Sequence, residues 1–443
     1  MACLKIGAFY MAFKAAEIGL EKGGNREKAL FRMGQAKYGM REWQKAADYF
    51  LEVLNEFPDN ISSSTQIKRV SDRLAELNHG SFDFKKLCVE TEESDLDIAD
   101  YKGPIEIADI PGKGRGIIAT KDIKEGTLLV VSKPFASGYK KDLPEEFIPF
   151  LPNDLPQRIA QFTETIKNLQ NNPEQANEVY KLYAGDNVAK YEDIPFGVID
   201  AQRIQQICFH NPFGIVDESA DAHSFILPSY FNHSCLANAV QSFYGGVIVI
   251  HASEDIKKGD EIFITYINPL NGYLERKTEI MARNFVCLCK LCKLDANDPN
   301  CLMRNQIMKE LESYGKENSA KDVIAKGEPI LKKIRESYVN RNELKVVLAQ
   351  TLMILASAYF KAKETAKAMK YVEEIISLMD NPLKYELGIV DIRINMGIKY
   401  FIKNDFSKYK EMIKKAMELS FCNNDMEFFK ALYPEYKEYL KYY

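Results

Sequence analysis

Cys287, Cys289 and Cys292 stand within six residues in the run Phe285-Val286-Cys287-Leu288-Cys289-Lys290-Leu291-Cys292. Thiols at that density, in a chain whose nine cysteines form no even framework, read as metal ligands before disulfides. A closed structural zinc site takes four ligands. The run supplies three, so the fourth comes from elsewhere, and Cys301 lies nearby in sequence. A second group is Asn232-His233-Ser234-Cys235, followed by Asn238 and by a hairpin signal at Gly245-Gly246. Asn and His side chains carry paired donors and acceptors suited to a polar ligand edge; the same residues also read as a capped turn with a satisfied histidine. A third group, Gly112-Lys113-Gly114-Arg115-Gly116, opens a strand. Its glycines permit positive φ and close backbone approach, but a phosphate loop needs a helix next and strand follows instead, so a plain turn is the alternative. Ile264-Thr265-Tyr266 closes a later strand, where a lone tyrosine is ordinarily a packing residue.

The elements that position these groups follow from period and composition. At 443 residues, 46% hydrophobic and 28% charged, the chain has length for two or three domains. Its 59 basic and 63 acidic residues leave a charge of −4 with no basic block, which argues against tight nucleic-acid binding. The start, Met1-Ala2-Cys3-Leu4-Lys5, leads to an apolar run broken by Lys14 and Glu17, a poor signal peptide. No stretch approaches the roughly 20 apolar residues of a membrane span. A reducing compartment, cytoplasmic or nuclear, is the expectation.

Leu30, Met33, Gly34, Ala46, Phe50 and Val53, ended by Pro58, space small and large residues as a tetratricopeptide helix pair does, with Gly34 and Ala46 admitting close approach and Phe50 and Val53 filling the seam. Leu352, Leu355, Ala356, Tyr359, Ala368, Val372 and Ile375 repeat the pattern, and Met396, Gly397, Tyr400 and Ile413 follow it more loosely; generic amphipathic helices are the alternative there. Between Asn78 and Gly103 an acidic run of Glu90, Glu92, Glu93, Asp95, Asp97 and Asp100 reads as a linker or surface strap. From Ile105 the period becomes two, through Ile117-Ile118, Ile123, Gly126 and Leu128 to Val131, and strand signals resume at Phe243 to Ile250 and Glu261 to Ile267. Residues 141 to 200 return to helical spacing without cysteine or histidine.

Taken in order, Lys113-Gly114-Arg115-Gly116, Asn232-His233-Ser234-Cys235, Ile264-Thr265-Tyr266 and Phe285-x-Cys287-x-Cys289-x2-Cys292 resemble SET-domain protein lysine methyltransferases, most of all the SET and MYND group and its tetratricopeptide-bearing relatives. The resemblance covers roughly residues 104 to 295 and implies S-adenosylmethionine and zinc as cofactors and a protein lysine side chain as substrate. It implies Cys235 as fourth ligand to Cys287, Cys289 and Cys292, with Cys301 as rival. Lys113, Gly114 and Arg115 would border the cofactor, Asn232 and His233 would contact it, and Phe285 would stack on its adenine. Asn211, in His210-Asn211-Pro212-Phe213-Gly214-Ile215, matches an asparagine near the cofactor's amino-acid end, and Tyr266 matches both the catalytic tyrosine and a cofactor neighbour. Two features depart from the family pattern: nothing between 135 and 201 has the metal-ligand spacing of a MYND finger, and Arg283 stands where a second channel tyrosine aligns.

The architecture expected is α+β: tetratricopeptide-like helices over 1–78, an acidic linker over 79–103, a SET β core over 104–267 with a helical insertion at 135–201, a post-SET zinc segment over 268–295, and tetratricopeptide-like helices over 302–443. The function expected is protein lysine N-methylation, on a histone or another protein. The competing reading is a SET-fold scaffold, weakly active or inactive, binding partner peptides through its helical repeats; methylation of something other than lysine is a third.

Overall fold

The computed structural model describes residues 1–89, 96–146, 148, 155–186, 188, 191–214, 221–338, 341–342, 344–379, 385 and 387–443. Glu90, Glu92, Glu93 and Asp95 of the acidic run, and Ile215 beside the Asn211 motif, lie outside them. No helix among the described residues is long and apolar enough to cross a membrane.

Among the described residues ten strands form three sheets: β1 (Tyr101–Lys102), β2 (Ile105–Ile110), β3 (Gly114–Ala119), β4 (Leu128–Ser132), β5 (Ala136–Gly138), β6 (Ala222–Ser224), β7 (Asn232–His233), β8 (Ala239–Tyr244), β9 (Val247–Ala252) and β10 (Glu261–Ile264). The orders are β1-β4-β9-β8, β2-β3-β10-β7 and β5-β6. The alternation that signals a one-faced strand is missing from Val247-Ile248-Val249-Ile250, and the reason is that β9 is covered on both faces. Val247 and Val249 enter a core shared with the C-terminal helices, whereas Ile248 and Ile250 enter the core beneath the second sheet. Strands buried on both faces read as continuous apolar runs. His251, stacked on Phe421 at 4.2 Å, adds an aromatic contact between this strand and the C-terminal helices.

The N-terminal spacing gives the helix pair it implies. Helices Arg26–Gly39 and Trp43–Glu56 meet where a Cβ on Gly34 would lie 2.7 Å from Cε1 of the fully buried Phe50. Asn25 caps the first, accepting from Lys28 N–H at 2.8 Å. Near the C-terminus, helices Val346–Lys361 and Thr365–Met379 bury Leu352, Leu355, Ala356, Tyr359, Ala368, Val372 and Ile375. In the next pair, Leu387–Ile402 and Phe406–Leu419, Gly397 faces Ile413, whose Cδ1 would lie 3.1 Å from an added Cβ.

One segment takes the second of its two expected readings, and two boundaries differ from expectation. Where it is described, the acidic stretch is a packed strap: Leu96, Ile98 and Ala99 are buried, and Asp97 and Asp100 are held by Tyr38, Arg69 and Arg41 of the N-terminal helices. The insertion at 135–201 is only partly helical. Its first residues form β5, which lies against helix Leu155–Asn171 so closely that a Cβ on Gly138 would meet Gln157 O at 1.9 Å. Beyond helix Ala176–Tyr180, Gly185 and Gly197 take positive φ, and the next α-helix among the described residues is Ala201–His210. Finally, β10 stops at Ile264 rather than Ile267, because Tyr266 N–H turns to a side chain instead of a strand partner.

The Gly34 contact makes a direct prediction. Gly34→Leu should lower the unfolding free energy by about 1–3 kcal/mol through overpacking against Phe50. Gly19→Ala, at a helical glycine with open space, should raise it by up to about 1 kcal/mol; urea midpoints of the two variants check the contrast.

Candidate functional site

Strand β7 runs parallel to β10, pairing Asn232 with Phe263 and His233 with Ile264, and this register brings distant motifs together. Asn238 anchors the pair by accepting from Phe263 N–H at 2.7 Å and donating to Glu261 O at 3.0 Å. The chain then leaves β10 so that Tyr266 N–H donates to His233 Nδ1 at 3.0 Å. An acceptor at Nδ1 puts the imidazole proton on Nε2, which lies 3.4 Å from Cys235 Sγ. Around this ring His233, Tyr266 and Phe285 form an aromatic trio, with centroids 5.2 Å apart for His233–Tyr266, 5.8 Å for His233–Phe285 and 6.2 Å for Tyr266–Phe285. The Tyr266 hydroxyl donates to Phe231 O at 2.5 Å. Burial pushes its pKa up to about 12, so the phenol stays protonated at neutral pH.

Beneath the trio, the sulfurs of Cys235, Cys287, Cys289 and Cys292 all lie within 4.8 Å of one another, with Cys235 3.5 Å from Cys292 and 3.9 Å from Cys287. Tetrahedral metal–sulfur bonds of about 2.3 Å require sulfur–sulfur edges of about 3.8 Å, so the donor set fits such an ion. Without an ion the four sulfurs share protons unevenly: the hydrogen bond from Cys235 holds the Cys287 pKa well below the usual thiol range, while the same contact raises that of Cys235. Cys301 stands apart, at the start of helix Cys301–Glu317, where Asn305 Nδ2 donates to its sulfur at 3.5 Å and burial raises its pKa to about 11. Helix Lys290–Ala296 carries Cys292, and its Asp295 accepts from Arg276 and from Arg341, each at 2.5 Å.

The glycine segment turns between β2 and β3, with Gly112 at φ 75° and Gly114 at φ 74°. Lys113 reaches Glu261, 2.6 Å away, and lies 4.6 Å over the Phe263 ring. Glu261 Oε1 also accepts from Asn232 Nδ2 at 2.8 Å, and Gly116 lies directly beneath this pair, where an added Cβ would come 2.8 Å from Asn232 Nδ2 and displace it. Period-two alternation sends the side chain just before Gly116 the other way. Arg115 therefore packs over Tyr230, 4.8 Å from its ring, and donates to Lys181 O, leaving only its backbone carbonyl with Asn232. Asn211 is tied through Nδ2 to Tyr183 O and Ile207 O, both at 2.8 Å.

The structure thus gathers Lys113, Gly114, Asn232, His233, Tyr266, Phe285 and the four cysteines around β7 and β10, and directs the side chains of Arg115 and Asn211 to the insertion and its following helix. Glu261 escaped the sequence reading. Its signal was a carboxylate at an alternate position of a strand whose Ile262 and Ile264 face the core, on the same side as Phe263.

The separation of Cys235 from Cys301 is testable with metal alone. Cobalt(II) should bind at about one ion per chain with the strong visible absorption of a tetrahedral thiolate site. Cys235→Ser should abolish that spectrum and Cys301→Ser leave it intact; the opposite result would move the fourth ligand.

Residues 114–267 match the SET domain and residues 28–60 the tetratricopeptide repeat. The chain is similar to a protein of Gibberella zeae named Methyltransferase, at 24% identity over 76% of this chain and 52% of that protein. It is also similar to N-lysine methyltransferase SMYD2-A of Xenopus laevis, at 26% identity over 47% of this chain and 54% of that protein. The chain thus spans about half the length of these curated relatives. Rubisco LSMT bound to AdoMet aligns over 69% of this chain at 10% identity and a TM-score of 0.23, too loose an agreement to bear on the site. The segment that matches the SET domain runs from β3 through β10, and the tetratricopeptide match lies before it.

Proposed function

We propose that this protein transfers methyl groups to the side-chain amine of a lysine in another protein, using S-adenosylmethionine, and that its four-cysteine cluster holds structural zinc. The observation that carries the reading is the placement of Tyr266, His233 and Phe285 as one packed trio on a SET β core, hydrogen-bonded to the metal-type cluster. Names of similar proteins as methyltransferases support it.

The uncommitted atoms suit the cofactor. Asn232 spends its amide N–H groups on Arg115 O and Glu261, and Asn211 spends its own on Tyr183 and Ile207, so both keep carboxamide oxygens that can accept from an ammonium group. Phe285 presents a half-buried ring for stacking against a flat base. Both nitrogens of His233 are engaged within the protein, so its part is to hold Tyr266 and Cys235 rather than to grip the cofactor through its ring. Bound S-adenosylmethionine would supply a methyl group activated on a sulfonium. The protein's task is then positioning and exclusion of water. Tyr266, its hydroxyl proton given to Phe231 O, offers a lone pair to orient the incoming amine.

Nine free cysteines support a reducing cytoplasmic or nuclear setting, and the helical repeats offer surfaces for partner peptides. The scaffold reading keeps one observation in its favour, the Arg283 guanidinium lying 5.7 Å from the centre of the Tyr266 ring.

Tyr266→Phe distinguishes the two. Removing one oriented oxygen should lower kcat by roughly 10² while leaving the dissociation constant for S-adenosylmethionine nearly unchanged. Unfolding should lose about 1 kcal/mol, since Phe231 O loses its partner. Methylation unaffected by the change would remove Tyr266 from the chemistry.

A further inference from the structure

Arg283 follows helix Tyr273–Met281, its N–H donating to Ile280 O at 2.9 Å. The next residue, Asn284, takes φ 64°, a left-handed step that brings both Arg283 and Phe285 against Tyr266. Phe285 meets the ring edge-on, while Arg283 places its guanidinium over the same ring and donates from Nη2 to Tyr266 O at 3.3 Å. That bond commits one of five guanidinium donors. The side chain is otherwise exposed, and among the described residues no carboxylate lies within ion-pair distance of it. Its charged neighbours are Glu279, which already accepts from Asn271 at 3.0 Å, and Arg158, whose like charge opposes it.

A lysine ammonium approaching Tyr266 alone therefore meets a positive charge. A carboxylate arriving with it meets a planar fork of free donors that matches two oxygens. We propose that Arg283 is a specificity residue that selects target lysines with an aspartate or glutamate beside them in the substrate, by pairing with that side-chain carboxylate. This inference rests on the methyltransferase reading and supplies what that reading lacks, a chemical class of substrate. It also gives a use to the position where Arg283 stands in place of the tyrosine that the resemblance aligns.

The test uses the full-length protein, S-adenosylmethionine and arrays of peptides with blocked termini, each holding one lysine, with Asp, Glu, Asn or Gln scanned through the flanking positions. Wild type should prefer an acid at one or two adjacent positions by roughly tenfold in kcat/KM. R283Q should lose that preference, and R283E should turn it against acids in favour of Asn and Gln, both with wild-type thermal midpoints. A matched series with free C-termini separates a side-chain carboxylate from a terminal one; a preference confined to that series would overturn the proposal. So would wild-type methylation indifferent to flanking acids, or an acidic preference that survives in R283Q. A wild-type protein that binds no S-adenosylmethionine and methylates nothing would instead sink the methyltransferase reading, and this inference with it.

Discussion

The His233 ring sets the constraint on which the site depends. An imidazole can accept at one nitrogen only while it donates at the other. Tyr266 N–H fixes Nδ1 as the acceptor, and Nε2–H is left facing Cys235 Sγ. A single tautomer thereby joins the end of β10 to the cysteine cluster. Because β7 and β10 are parallel neighbours, the same ring also holds the strand pair in register. Tyr266, Phe285 and the four sulfurs cannot move independently, and a metal at the cluster would stiffen the tyrosine through one hydrogen bond. Ligating and near-ligating groups tuned by such outer hydrogen bonds are a general feature of metal sites.

The cluster is braced from the opposite side by buried charge. Arg276 is fully buried and Arg341 nearly so, and both donate to Asp295 on the short helix that carries Cys292. Arg341 also reaches Asp298, which Arg304 of helix Cys301–Glu317 holds from the C-terminal helices. Breaking one member of such a chain strands an uncompensated charge, typically costing about 3–5 kcal/mol. The C-terminal helices are therefore part of what positions the cysteine-bearing segment, besides covering one face of β9.

Much of this was legible in the residues, for identifiable reasons. The Gly34–Phe50 seam could be read because helix approach demands a small residue opposite a large one, and Cys287, Cys289 and Cys292 because thiolate density has few other uses. The direction of Arg115 and the packing of β5 against Gln157 could not be read, since both follow from which face of a strand meets the insertion. Glu261 went unread because its importance lies in partners more than a hundred residues away at Lys113 and nearly thirty at Asn232. The acidic run read as a linker or a surface strap from composition; that it is a strap follows from Asp97 and Asp100 being pinned by cations on the N-terminal helices, contacts that sequence spacing does not announce.

The central claim, that the cysteine cluster and the proposed cofactor site form one mechanical unit through His233, is most directly tested by calorimetric titration of S-adenosylmethionine into the protein before chelation, after chelation, and after zinc is restored. The account predicts that affinity falls roughly tenfold or more on metal removal, at unchanged helical content, and returns with zinc. Equal affinity in the metal-free and zinc-loaded protein would contradict it.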